Sequence, residues 1–150
     1  SSDLLVYYGR GPFENYIDRY SSSFIGRYED KVENQFYWYI RPQETGNKTD
    51  VRWLSLLDSE GQGVRITGLQ PIAFSALHFS PEDLDPGLTR KLQHTIDIVP
   101  QKNIFLHVDL KQRGLGGDNS WGMYPHNEYR LLDKKYTYSY MIELVEKNSD

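Results

Sequence analysis

Apolar and polar residues alternate with a period of two along most of the chain. In NIFLHVDLKQ (103–112), Ile104, Leu106, Val108 and Leu110 share one face, and Phe105, His107, Asp109 and Lys111 share the other. Such alternation predicts a half-buried β-strand, because successive side chains of a strand point to opposite faces. YTYSYMIEL (136–144) sets Tyr136, Tyr138, Tyr140, Ile142 and Leu144 on one face. QFYWYIR (35–41) alternates Phe36, Trp38 and Ile40 with Tyr37, Tyr39 and Arg41. VRWLSLLDS (51–59), GVRITG (63–68) and IAFSALHF (72–79) complete the expected strands. Turn signals separate them, in RPQETGNKTD, DSEGQG and LQP.

Helical signals are few. Ser80 suits an N-cap, Pro81 the first helical position, and Glu82 and Asp83 the positive end of the helix dipole. Pro86 and Gly87 break this element into a first turn and a segment near 87–94. FENYIDRY (13–20) has helical spacing, but the flanking GRGP and SSS restrict it to a short turn. Many strands with turn-rich links and little helix predict an all-β antiparallel sandwich. No internal repeat or low-complexity linker interrupts it.

The length of 150 residues implies one domain. A chain of this size buries roughly 68–70% of its unfolded surface and can form a core without staples. There is no cysteine, which removes disulfides and thiolate metal sites. The net charge of −4, with no basic block, argues against a nucleic-acid partner. No apolar run approaches the ~20 residues of a membrane span, so no membrane partner is expected. The start, SSDLLVYYGR, lacks the pattern of a signal peptide and reads as a strand that begins at once. It looks cut from something longer. Twelve tyrosines suit pleated surfaces, and also surfaces that face the CH groups of sugars.

Chemistry-bearing motifs narrow the choice. Gly114-Leu115-Gly116 opens like a dinucleotide fingerprint, but Asn119 stands where the third glycine belongs and no helix follows. GRGP (9–12) lacks the Lys and Ser/Thr of a phosphate loop. His78, His94, His107 and His126 form no i, i+4 pair. His107 and Asp109 share a strand face, short of the ligand count that zinc needs. Ser120 lies six residues before His126, with no further mark of an activated nucleophile. Glu14, Asp18, Glu44, Asp109, Asp118 and Glu128 offer carboxylates, but the sequence selects no catalytic pair. NKT (47–49) fits an N-glycosylation acceptor.

Trp121 is the strongest candidate. It sits in RGLGGDNSWGMYPHNEY (113–129), among glycines that let backbone approach a ligand closely. One reading tucks the indole under its own loop as a core anchor. The other makes it a platform for the apolar face of a sugar, with Asp118 and Asn119 bonding to hydroxyls and Tyr124 and His126 widening the wall.

Three segments carry a resemblance. YYGRGPFENYIDR (7–19), RPQETGNKTDVRW (41–53) and DLKQRGLGGDNSWG (109–122) resemble, in order, the C-terminal domain of bacterial LacZ-type β-galactosidases of glycoside hydrolase family 2. The likeness covers most of 1–145. It implies a β-supersandwich similar in fold to galactose mutarotase, and a parent enzyme that hydrolyses terminal β-D-galactosides with retention. The two catalytic glutamates of that family belong to a TIM-barrel domain, nothing of which is present here, so no catalytic residue is assigned. The family's last domain is nearly twice this length, so the chain looks like its C-terminal half. The family's divalent metal and sodium sites lie mainly in the barrel; no cofactor or metal is assigned to this chain.

By the same resemblance, Trp121 matches the tryptophan that reaches into the active site and stacks on the sugar. Asn119 replaces the commoner Asp. Glu14, Asn15, Asp18 and Arg19 match the family pattern as hydrogen bonds and ion pairs that pin loops, as do Arg41, Glu44 and Arg52. The expected partners are the galactoside, the remaining domains of the enzyme and a second copy in a homo-oligomer. The expected location is the bacterial cytoplasm or periplasm. Other readings stay open: a lectin-like carbohydrate-binding module, a mutarotase-like enzyme, or a purely structural oligomer-contact domain.

Overall fold

The alternating segments pair into one antiparallel sheet. The structure, a computed structural model, describes residues 3–85, 87, 93–117, 119 and 122–147. Among these, six strands form: β1 (Leu4–Gly11), β2 (Phe24–Lys31), β3 (Lys48–Leu57), β4 (Gly63–Leu77), β5 (Phe105–Asp109) and β6 (Tyr140–Val145). The order is β2-β1-β3-β4-β5, and β6 also pairs with β4. The all-β, antiparallel class read from the alternation is what the chain adopts.

Cross-strand register puts the core on one face. Tyr7 lies opposite Leu54, Leu54 opposite Ile66, and Phe74 opposite Val108. Tyr7, Leu54, Ile66 and Phe74 join Leu5, Val51, Ile72 and Ala76 in the main buried cluster, and Ile104, Leu106 and Val108 of the predicted β5 face pack against it. Burying such side chains contributes about 1.5–3 kcal/mol each. A second cluster, Phe36, Leu77, Phe79, Leu84 and Ile98, continues past the end of β4. The short helix α1 (Pro81–Leu84) closes it, with Ser80 at the N-cap as the sequence predicts and Asp83 completing a reciprocal capping box. Of the helical segment expected near 87–94, residues 88–92 lie outside the described residues. FENYIDRY forms the expected turn, with Tyr16 bridged to Arg19.

Three expectations fail. QFYWYIR is not a strand: after a 3-10 turn at Val32–Gln35, residues 36–41 run without sheet pairing. Only part of its apolar face is used, since Phe36 is buried while Trp38 and Ile40 are exposed. Side chains hold this segment instead, as where the Tyr37 amide donates to Thr45 Oγ1 at 3.3 Å. Second, GVRITG and IAFSALHF are a single strand. Trp53 faces Thr67 and Val51 faces Ile72, so two positions along β3 match five along β4. LQP is thus a bulge within β4, a bend that lets one strand pair with β6 at its start and β5 at its end. Third, NKT is no surface acceptor, because Asn47 and Thr49 are buried. Strands β5 and β6 are also shorter than the alternation suggests.

Candidate functional site

Three segments outside the strands, 12–23, 36–47 and 113–130, are tied together by side-chain hydrogen bonds. The turn 14–19 joins them. Asn15 is fully buried and serves both neighbours of its chain. Its Nδ2 donates to Arg10 O and Phe13 O, and its Oδ1 accepts from the Thr49 amide at 2.9 Å and Thr49 Oγ1 at 2.5 Å. Its backbone exchanges bonds with Asn47, whose Nδ2 donates to Asn15 O at 2.8 Å. No polar valence of Asn15 is left for a ligand.

Glu14 is equally engaged. Its carboxylate accepts from Thr45 Oγ1 at 2.8 Å, the Gly46 amide at 2.7 Å, Tyr16 Oη at 3.4 Å and Tyr39 Oη. Burial, with this carboxylate, pushes the Tyr16 phenol above its ordinary range. Burial and the bond to Glu14 raise Tyr39 to about 12, against the lowering effect of Arg19. Both phenols therefore remain neutral donors at pH 7. Glu14 acts as a structural acceptor, saturated by four donors.

Lys48 is the residue that sequence reasoning missed. It opens β3, is 2% exposed, and donates from Nζ to Gly46 O at 3.1 Å. Burial lowers its pKa from 10.5 to about 8, although Glu14 and Asp30 favour the charged form. A lysine within GNKTD carries no hydropathy signal for burial. Only the pairing of this stretch with 14–16 puts it inside. With Glu14, Arg19, Asp30 and the rings of Phe36, Tyr37 and Tyr39, it lines a cleft of about 400 Å³.

The glycine loop is tied at its base. The Gly114 amide donates to Tyr129 O at 2.7 Å, and the Gly116 amide donates to Asp18 Oδ2 at 2.6 Å. A Cβ on Gly114 would stand 2.6 Å from that same oxygen, so only glycine fits against Asp18 there. Gln112 Nε2 adds a bond to Glu44 Oε1 at 2.7 Å. Gly114 and Pro125 are buried, whereas Leu115–Gly117, Asn119 and Gly122–Tyr124 are exposed. Trp121 and Asp118 lie outside the described residues, as does Ser120. Asn119 is exposed at the apex. Asp18, Gly116, Met123, His126 and Tyr129 line a second cleft of about 370 Å³.

The remaining candidates separate. Arg10, not a residue of the expected pinning set, pairs with Asp50 at 2.5 Å. Arg52 donates to Asp50 O and lies over the Tyr8 ring, and Arg41 borders His107 and Glu44 in a shallow groove. His107 and Asp109 share a face of β5, but the described residues hold no cluster of three or more His, Asp or Glu that could bind a metal ion. No helix among them is long and apolar enough to cross a membrane.

Comparison with known proteins agrees with the resemblance. A family model described as the β-galactosidase small chain matches residues 1–142. A β-galactosidase from Priestia megaterium is 37% identical over 142 residues, covering 94% of this chain and 13% of that protein. One from Streptococcus thermophilus is 35% identical, covering 93% and 13%. The β-galactosidase BgaC of Bifidobacterium adolescentis is 36% identical, covering 85% and 12%. The chain thus spans about an eighth of the length of the curated relatives it matches.

Proposed function

From the premise that this chain belongs to the β-galactosidase small-chain family, we propose that it completes the sugar pocket of a larger enzyme that hydrolyses terminal β-D-galactosides. Its part is binding and orientation, with Trp121 as the stacking platform and Asp118 and Asn119 bonding to hydroxyls. The catalytic carboxylates come from other domains of the same protein. The observation that carries this reading is the construction of the glycine loop. The Gly114 and Gly116 amides fasten its base to Tyr129 and Asp18, while Leu115–Gly117, Asn119 and Gly122–Tyr124 are exposed. A rigid ring at such an apex can reach a ligand held elsewhere. The saturation of Glu14 supports a binding role over an acid–base role.

The test is Trp121→Ala in the full-length enzyme. Loss of a stacked ring removes apolar contact worth about 25 cal/mol per Å², so KM for a galactoside is expected to rise by about tenfold or more. If the contact tightens in the transition state, kcat falls as well. Unchanged KM and kcat would leave the domain a structural role only. A lectin-like module instead binds galactosides as an isolated chain, which tryptophan fluorescence would register.

A further inference from the structure

The cleft above Lys48 shares no lining residue with the one under the glycine loop, and the function proposed above does not use it. Its volume, about 400 Å³, falls in the range of small-ligand sites, roughly 300–1,000 Å³. Lys48 carries three N–H donors. Gly46 O is their one acceptor among the described residues. A buried ammonium with donors to spare requires acceptor oxygens from whatever fills the cleft.

The lining decides which chemistry fits. Lys48 and Arg19 supply two positive charges, and Glu14 and Asp30 two negative ones, so the site is formally neutral. An anion is opposed by the carboxylates and a cation by Lys48 and Arg19. A neutral ligand that both accepts and donates meets neither penalty. Asn34 and Gln35 add amide groups whose nitrogens donate to Asp30 at 2.7 and 3.1 Å. The adjoining rings of Tyr37 and Tyr39, with centroids 4.6 Å apart, add an aromatic wall, and Tyr37 is open to solvent. Charge balance, amides and aromatic faces together match a pyranose, with hydroxyls on its edge and CH groups on its face. Because Glu14 is saturated, such a site binds sugar without hydrolysing it.

We propose that this cleft is a saccharide-binding site in which Lys48 donates to a sugar hydroxyl and the Tyr37–Tyr39 wall takes the apolar face of the ring. The inference does not depend on Trp121. Its test is equilibrium dialysis of the full-length enzyme against labelled D-galactose, with hydrolysis kinetics run in parallel. Wild type is expected to show a class of site that Lys48→Met weakens by about tenfold or more, the loss of one charged hydrogen bond. Tyr37→Ala, at an exposed position, is expected to weaken the same class several-fold, and both variants keep kcat/KM. Should Lys48→Met fail to fold, Tyr37→Ala decides alone. Galactose binding with a single class of site that neither variant alters would overturn the proposal. Trp121→Ala leaves this class intact whatever it does to hydrolysis, so the two readings fail separately.

Discussion

The paired segments 12–23 and 36–47 and the loop 113–130 all lie outside the strands and meet at Asp18, yet they are held differently. In the first, Glu14 and Asn15 gather hydroxyl, amide and backbone partners from residues 39–49, and the Asn15 side of this knot is buried. In the second, two backbone amides fasten the base, and the described apex residues stay in water. Glycine, asparagine and acidic residues build both. What separates them is burial: the Asn15 side of the knot lies inside the fold, and the described apex residues are exposed. A buried polar network rigidifies because each member lost leaves others unsatisfied. A loop tied only at its base can present a side chain at little cost to the fold.

The comparison breaks first at Asn15. Asn15→Ala strands the Thr49 hydroxyl and amide and is expected to destabilise the domain by about 3 kcal/mol, measured by chemical denaturation. A cost below about 1 kcal/mol would mean that water replaces the amide freely and that the knot is no more rigid than the loop. Asp18→Ala comes next. It removes the acceptor of the Gly116 amide and should cost about 1–2 kcal/mol, with hydrogen exchange at Gly116 accelerating while exchange at Thr49 stays slow. Equal acceleration at both positions would show the two regions opening as one unit.

The smallest effect concerns Lys48. Its folded-state pKa, about 8, is below the ordinary 10.5, so between those values the unfolded chain binds more protons than the folded one. Stability therefore rises with pH in this window, by about 1 kcal/mol from pH 8 to pH 9. Glu14 and Asp30 are the charged groups that face it. Lys48→Met should abolish this rise in a urea-melt series. The window ends near pH 10, where tyrosines of the unfolded chain ionise while burial holds Tyr7 and Tyr16 neutral in the fold, an opposing loss of stability.

Legibility followed the locality of the signal. The β5 face, the capped turn at Ser80 and the short turn at FENYIDRY were readable because each depends on neighbours within a few residues. QFYWYIR alternates as well as any strand but has no paired edge, and its backbone is held by side chains such as Thr45. The reverse error lies in TGNKT, which reads as a turn and is buried. At β6 the alternation is real, yet Ile142 and Leu144 remain 63% and 79% exposed, since nothing among the described residues covers that face.

By itself, then, the sequence determined the all-β class and the β-galactosidase family. Period-two patterning and short motifs are local properties that survive without coordinates. Tertiary structure alone decided that LQP bends one strand instead of ending it, that Asp18 fastens the loop, and that Lys48 lies buried beside a neutral cleft. Those outcomes rest on contacts between residues far apart in the chain, such as Asp18 with Gly116 and Asn15 with Thr49. Burial of a polar group is settled by whether such distant partners arrive to satisfy it.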